Sequence, residues 1–188
     1  AACVLLSTTI HTAMLQRDMS QKVLRFHVLA NSDSTADQAL KLKVRDRILK
    51  DSSVWFTGAA TRDEAEAQAA KHLKDLQQQA VDELRRNACQ DSVCVSLENT
   101  WFPTRQYSNV TLPAGTYRAL RVLIGKGQGH NWWCVLFPAL CLPSAEPEKK
   151  LDDVLTKPEE QLTGCQYQIK FKTVELYEML ENWLKNAA

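Results

Sequence analysis

Glycine and proline are both scarce in this chain, six residues of each among 188. That excludes collagen-like and low-complexity architectures, which need far more of both. An excess of one charge is also lacking, since 23 Lys and Arg stand against 22 Asp and Glu, a formal net charge of +1. Nucleic-acid binders ordinarily carry a strong basic excess, so no nucleic-acid partner is expected. No apolar run reaches the ~20 residues that span a bilayer. A phosphate-binding fingerprint is missing too. Gly125, Gly127 and Gly129 have no Gly-Lys-Ser/Thr ending and no helix-plus-acid arrangement after them.

What remains is 45% apolar and 24% charged, the balance of an ordinary globular protein. This length suits one sizeable core and is short for two. Residues 1–15 (AACVLLSTTIHTAML) are apolar, without an opening Met or a basic n-region. They are expected to be the truncated end of a signal peptide or membrane anchor. Residues 1–22 are then a remnant plus connector, and 23–188 a single domain. Within it, residues 143–160 (Pro, Lys and Glu in quantity) form a surface linker carrying one short helix.

In Val23-Leu24-Arg25-Phe26-His27-Val28-Leu29-Ala30 the period of two predicts a strand with one buried face. Asn31-Ser32-Asp33-Ser34 is a turn and cap cluster, and Ser34 with Asp37 has capping-box spacing. A helix with the stripe Ala36, Leu40, Val44 and Ile48 should follow, its other faces carrying Lys41, Lys43, Arg45, Arg47 and Lys50. Thr61 and Glu64 make a second capping box, opening a helix that the spacing of Ala65, Ala69, Leu73, Leu76, Ala80 and Leu84 carries to about Asn87. Val93, Val95 and Leu97 predict another strand, broken at Trp101-Phe102-Pro103. Val110-Thr111-Leu112, a Pro113-Ala114-Gly115 turn and Thr116-Tyr117 read as strand, turn, strand, and residues 119–124 as a central strand. Residues 166–171 are expected as a strand, and Val174, Tyr177, Leu180 and Trp183 or Leu184 as the stripe of a C-terminal helix. The expected fold class is α+β: a mixed or antiparallel sheet of about 4–5 strands, packed by two long helices and the C-terminal helix.

Chemistry concentrates in Gly125-Lys126-Gly127-Gln128-Gly129-His130-Asn131-Trp132-Trp133-Cys134, leading to Cys141. Cys134 admits several readings. As a nucleophile it would take His130 or His27 as its base, with Asp33 orienting the ring. As a zinc ligand it would join His130 and Cys141, at a spacing that matches no familiar motif. As a disulfide with Cys141 it would close a short loop, worth roughly 2–3 kcal/mol. It could also be an inert buried thiol. The disulfide is placed first. Cys89 and Cys94 flank a helix-to-strand turn, as a local disulfide or as two buried thiols. Adjacent Trp132 and Trp133 are the residue type favoured at binding hot spots. His27, Asn31 and Asp33 cluster at a strand end.

Phe26-His27-Val28-Leu29-Ala30-Asn31-Ser32-Asp33-Ser34, followed by Asp37-Gln38-Ala39-Leu40-Lys41-Leu42-Lys43-Val44-Arg45-Asp46, resembles the opening of the stage II sporulation protein R family. Leu112-Pro113-Ala114-Gly115-Thr116-Tyr117, the run from Ala119-Leu120-Arg121-Val122 through His130-Asn131-Trp132-Trp133-Cys134-Val135-Leu136-Phe137-Pro138, and Phe171-Lys172-Thr173-Val174-Glu175-Leu176 are similar to the same family. The resemblance implies a protein made in the forespore of an endospore-forming bacterium and exported into the space between two membranes. There it activates a membrane-embedded aspartic protease of the mother cell, which processes a sigma factor precursor, pro-sigma-E. It implies no enzyme activity, catalytic residue, cofactor, metal or small-molecule substrate. His27, Asn31, Ser32, Asp33, Gly127, Gly129, His130, Asn131, Trp132 and Trp133 are expected to form the protease-docking face, with contact to a membrane surface as an addition. The rival reading is a thiol hydrolase of peptide or cell-wall material, using Cys134 with His130 or His27.

Overall fold

The computed structural model describes residues 14–56, 58–107, 110–140 and 154–159. They hold a helix over residues 14–22 (α1) and three more, α2 (Thr35–Phe56), α3 (Arg62–Lys71) and α4 (Leu73–Arg86). The strands are β1 (Leu24–Leu29), β2 (Val93–Phe102), β3 (Arg105–Tyr107), β4 (Val110–Leu112), β5 (Gly115–Ile124) and β6 (Asn131–Phe137). The α+β class expected from the sequence is the class found, with a mixed four-stranded sheet in the order β2-β5-β1-β6. The chain divides into two compact units, residues 23–99 with 118–150 and residues 1–22 with 100–117 and 151–188. The remnant and the C-terminal strand and helix expected above fall, apart from residues 14 and 15, outside the described residues.

In the first unit β1 lies parallel to β5 and antiparallel to β6. Leu24, Phe26 and Val28 are fully buried, as the alternation requires, but so is Arg25, and His27 is only 3% exposed. The expectation of one buried face is corrected: a strand with neighbours on both sides in mid-sheet is covered above and below. Ser34 caps α2, its Oγ accepting the Asp37 N–H at 3.1 Å. Leu40, Val44 and Ile48 form the buried stripe, while Ala36 is exposed.

The single long helix expected from Thr61 to Asn87 is two helices. It begins at the predicted cap, with Thr61 Oγ1 accepting from Glu64 N at 3.2 Å and Glu64 Oε2 accepting from Ala60 N, one residue before the cap, at 2.7 Å. It breaks at His72, where φ −101° and ψ 14° leave the helical range. The His72 ring stacks on Trp55 at 4.2 Å and its Nδ1 lies 3.0 Å from Asp75 Oδ2. Hydrogen bonds from His72 N to Gln68 O and from Leu76 N to His72 O carry the helical pattern across the break. Ala65 and Ala69 on α3, and Leu76, Ala80 and Leu84 on α4, keep the predicted apolar stripe in the core. The Gln77 side chain bonds the main chain of β2, donating to Val93 O at 3.0 Å and accepting from Val95 N at 2.9 Å.

In the second unit, β2 runs on through Trp101 to Phe102, past the expected break. β4 pairs antiparallel with β3, which the sequence did not announce. The Pro113-Ala114 turn therefore leads from one sheet to another and does not close a hairpin with β5. Met19, Phe102, Leu112, Tyr117 and Leu155 are all buried. Phe102 and Tyr117 meet edge to face at 5.8 Å. The Tyr117 hydroxyl donates to Pro113 O at 2.8 Å, and the Gln16 amide donates to Ala114 O. Thr156 N and Oγ1 both donate to Glu159 Oε2 at 2.7 Å. Lys22 Nζ reaches the same oxygen at 2.6 Å. Glu159 is 1% exposed and Leu155 6%, while Thr156, Lys157 and Pro158 between them are exposed.

Candidate functional site

β1 and β5 lie parallel and adjacent, so their C-terminal ends open side by side. The turn after β1 (residues 31–34) meets the loop after β5 (residues 125–130), and main-chain and side-chain bonds join them along their length. Gly129 N donates to Ala30 O at 3.0 Å and Gln128 N to Asn31 O at 3.2 Å. Asn31 Oδ1 accepts from Lys126 N at 3.0 Å, while Asn31 Nδ2 donates to Asp37 Oδ2 at 3.1 Å. Ser32 Oγ donates to the same Asp37 oxygen at 2.5 Å. The Ser32 hydroxyl, with help from the Asn31 and Ser34 bonds, holds the Asp37 carboxyl below the usual carboxylate range.

The alternating glycines have separate reasons. Gly125 sits at φ +56°, and a Cβ added there would overlap the Asn31 side chain. Gly127, at φ +62°, lies against Leu123. At Gly129 a Cβ would fall 2.2 Å from the Ser32 carbonyl oxygen, so two main chains touch where no side chain fits.

At the loop's end, Asp33 Oδ1 accepts from both the main-chain N–H and the ring Nδ1 of His130, each at 2.5 Å. The main-chain bond first, and then the ring bond, lower the Asp33 pKa. Lys41 Nζ reaches from α2 to His130 O at 2.8 Å and to Gln38 Oε1 at 2.6 Å. Lys41 is 5% exposed, and burial followed by the nearby Arg45 charge lowers its pKa. Lys41 is a part of the site that the sequence reading assigned to a solvated face. The His130 side chain is 82% exposed and that of Asp33 52%.

The ten expected docking residues do not share one face. Asn31, Ser32, Asp33, Gly127, Gly129 and His130 come together. Trp132 and Trp133 stand in β6, not in a loop, and point to opposite sides of the sheet. Trp132 meets Phe26 edge to face at 5.6 Å and carries the Arg45 guanidinium over its ring at 4.9 Å, on the α2 side. Trp133 stacks on His27 at 3.8 Å on the other side. Burial is the main force on His27, lowering its pKa from 6.5 to about 4, while a hydrogen bond with the exposed Asn131 side chain works against it.

The register also separates the thiol from its expected bases. Cys134 stands opposite Phe26, and His27 opposite Trp133. Residues opposite one another share a face and neighbours alternate, so Cys134 and His27 lie on opposite faces. His130 precedes Cys134 by four residues along an extended chain, roughly 13 Å at ~3.3 Å each, and its Nδ1 is engaged by Asp33. Neither imidazole is placed to activate Cys134, which is 7% exposed. Cys141 lies outside the described residues. Cys89 and Cys94 are free thiols, and Cys94 is exposed, not buried. Burial raises the Cys89 pKa. Among the described residues no group of three or more His, Cys, Asp or Glu is arranged to hold a metal ion, and no helix is long and apolar enough to cross a membrane.

The arrangement is an ordered loop and turn offering the exposed polar groups of Asp33 and His130. Residues 20–147 match the family model described as Stage II sporulation protein R. Stage II sporulation protein R of Bacillus subtilis (strain 168) is 33% identical over 156 residues, 74% of this chain and 70% of that protein. No solved structure matches. On these two agreements the chain belongs to the stage II sporulation protein R family.

Proposed function

We propose that this chain, in its sporulation signalling role, is exported from the forespore and activates a membrane-embedded aspartic protease of the mother cell. The activated protease would process pro-sigma-E. The observation that carries the reading is the joining of loop 125–130 to turn 31–34, which presents Asp33 and His130 in a fixed geometry, with no catalytic partner among the described residues. Docking of this surface favours the active protease by binding that state more tightly than the resting one. Trp132 with Arg45 extends the contact on the α2 side.

The other cations of α2 are largely engaged: Lys43 bonds Asn87, Arg45 pairs with Asp46 and Arg47 with Asp51. Contact with a membrane surface is accordingly an accessory in this proposal. A Cys134–Cys141 disulfide belongs to it as well. It is supported by the burial of Cys134 and by its not being among the free thiols of the described residues. Peptide mass mapping of non-reduced protein tests that pair.

The test of function is co-production of the exported chain with the protease and its sigma precursor in a non-sporulating host. Shortened sigma factor only when this chain is present is the expected result. Absence of processing, with the protease shown competent by another activator, would overturn the reading.

A further inference from the structure

Within the docking reading above, on which this step rests, the Asp33–His130 geometry points to the atom that makes the recognition and to the chemistry it accepts. We propose that in the neutral ring His130 Nε2 is a hydrogen-bond acceptor held in place, and that it selects a partner surface offering a donor there, a hydroxyl or a main-chain N–H, over an acidic one.

Asp33 Oδ1 lies 2.5 Å from His130 Nδ1. An ionised carboxylate can only accept, so the hydrogen of this bond sits on Nδ1. The Asp33 carboxyl is held ionised because the His130 main-chain N–H donates to the same oxygen. A neutral imidazole has one N–H, and with that hydrogen on Nδ1 the lone pair is on Nε2. This is the way a carboxylate sets the tautomer of histidines in metal and catalytic sites.

The ring is also held in place. Its residue is bonded through N–H to Asp33, through Nδ1 to Asp33, and through C=O to Lys41 Nζ at 2.8 Å. The preceding Gly129 N–H is tied to Ala30 O. With Nδ1 committed and the side chain 82% exposed, Nε2 is the nitrogen presented outward.

Three uses of such a nitrogen can be compared. As a general base it needs a nucleophile, and the register keeps Cys134 away. As a metal ligand it needs companions, and among the described residues no such group exists. As a recognition atom it needs only a donor on the partner, and the neighbouring Asp33 carboxylate reinforces the preference. Two acceptors side by side repel a partner carboxylate and fit a hydroxyl or N–H. Lys41 and Asp33 are the positioning residues in this scheme, and His130 is the contact.

Two measurements test it. The first uses the free chain with labelled histidine, in a long-range proton–nitrogen correlation at a pH where the ring is neutral. The expected result is a protonated Nδ1 and a bare Nε2 for His130. The opposite tautomer, or an even mixture, overturns the proposal and does not depend on the protease. The second uses the co-production assay with secreted, folded variants. His130→Lys offers only donors at that place and should lose at least about tenfold in sigma-factor processing, the scale of one mispaired hydrogen bond. His130→Gln, whose amide oxygen reaches the Nε2 position, should recover at least about tenfold over the lysine variant. Equal processing by the two variants overturns the acceptor role. A wild-type chain that supports no processing overturns the docking reading and the partner chemistry with it, while the tautomer still stands or falls on the first measurement.

Discussion

Gly129 has no room for a side chain, because the nearest atoms are main chain and cannot rotate away. Gly129→Ala should therefore push loop 125–130 off turn 31–34 and cost about 1–3 kcal/mol, the usual range for overpacking. Chemical denaturation should show the loss, and amide exchange should rise first at Lys126 and His130, whose N–H groups bond Asn31 and Asp33. Unchanged protection at those amides would mean that the loop is held by something else. Most of the site's residue types were legible in the sequence, since clustered Asn, Ser and Asp at a strand end and alternating glycines are unusual. Their division of labour was not. Asn31 and Ser32 build the turn, the glycines permit the approach, and Asp33 with His130 is presented. Lys41 was invisible because a lysine on a basic helix face reads as solvated, and only the neighbouring loop shows what covers it.

At the scale of elements, β2 stands at the edge of the four-stranded sheet, where unpaired main-chain groups invite association. The Gln77 amide occupies Val93 O and Val95 N as another strand's peptide group would. Gln77→Leu should lower stability by about 2 kcal/mol, from two bonds at roughly 1 kcal/mol each, and favour self-association. Denaturant midpoints and size-exclusion profiles at increasing concentration check both outcomes, and a monomer of unchanged stability would discount the edge role. Helices and central strands followed from periodicity because burial there is one-sided or complete. β3 did not, because Arg-Gln-Tyr carries no apolar alternation, and Arg105 and Gln106 are exposed. β6 was given no element because its glycine-rich approach masked the alternation of Trp132, Cys134 and Leu136 against Trp133, Val135 and Phe137. At the break His72 stacks on Trp55, 17 positions earlier in the chain, a contact that no local pattern carries.

For the molecule as a whole, acid stability should fall in two stages. His27 has a folded pKa of about 4 against 6.5, so the unfolded chain takes up its proton first. The stabilising contribution is complete above 6.5 and is lost as pH falls from there to about 4, roughly 3 kcal/mol in all. Asp33, Asp37 and Glu159 are also lowered, and for carboxyls the stabilisation is present above the ordinary carboxylate range and lost below it. At Glu159 burial alone would raise the pKa, but the bonds from Lys22 and Thr156 outweigh it. Stability measured against pH should therefore decline first between 6.5 and 4 and again below that. His27→Gln should flatten the upper stage alone, and Glu159→Gln should diminish the lower one. An upper stage that survives His27→Gln would assign it to another group.

The contact between His27 and Trp133, rings 3.8 Å apart and 18° from parallel, makes the indole an optical witness to that proton. A neutral imidazole is a weak quencher of indole emission and an imidazolium a strong one. Intrinsic fluorescence should therefore dim as the buried ring takes its charge on the way to acid unfolding. Trp133→Phe should remove that component and leave the emission of the remaining tryptophans in place.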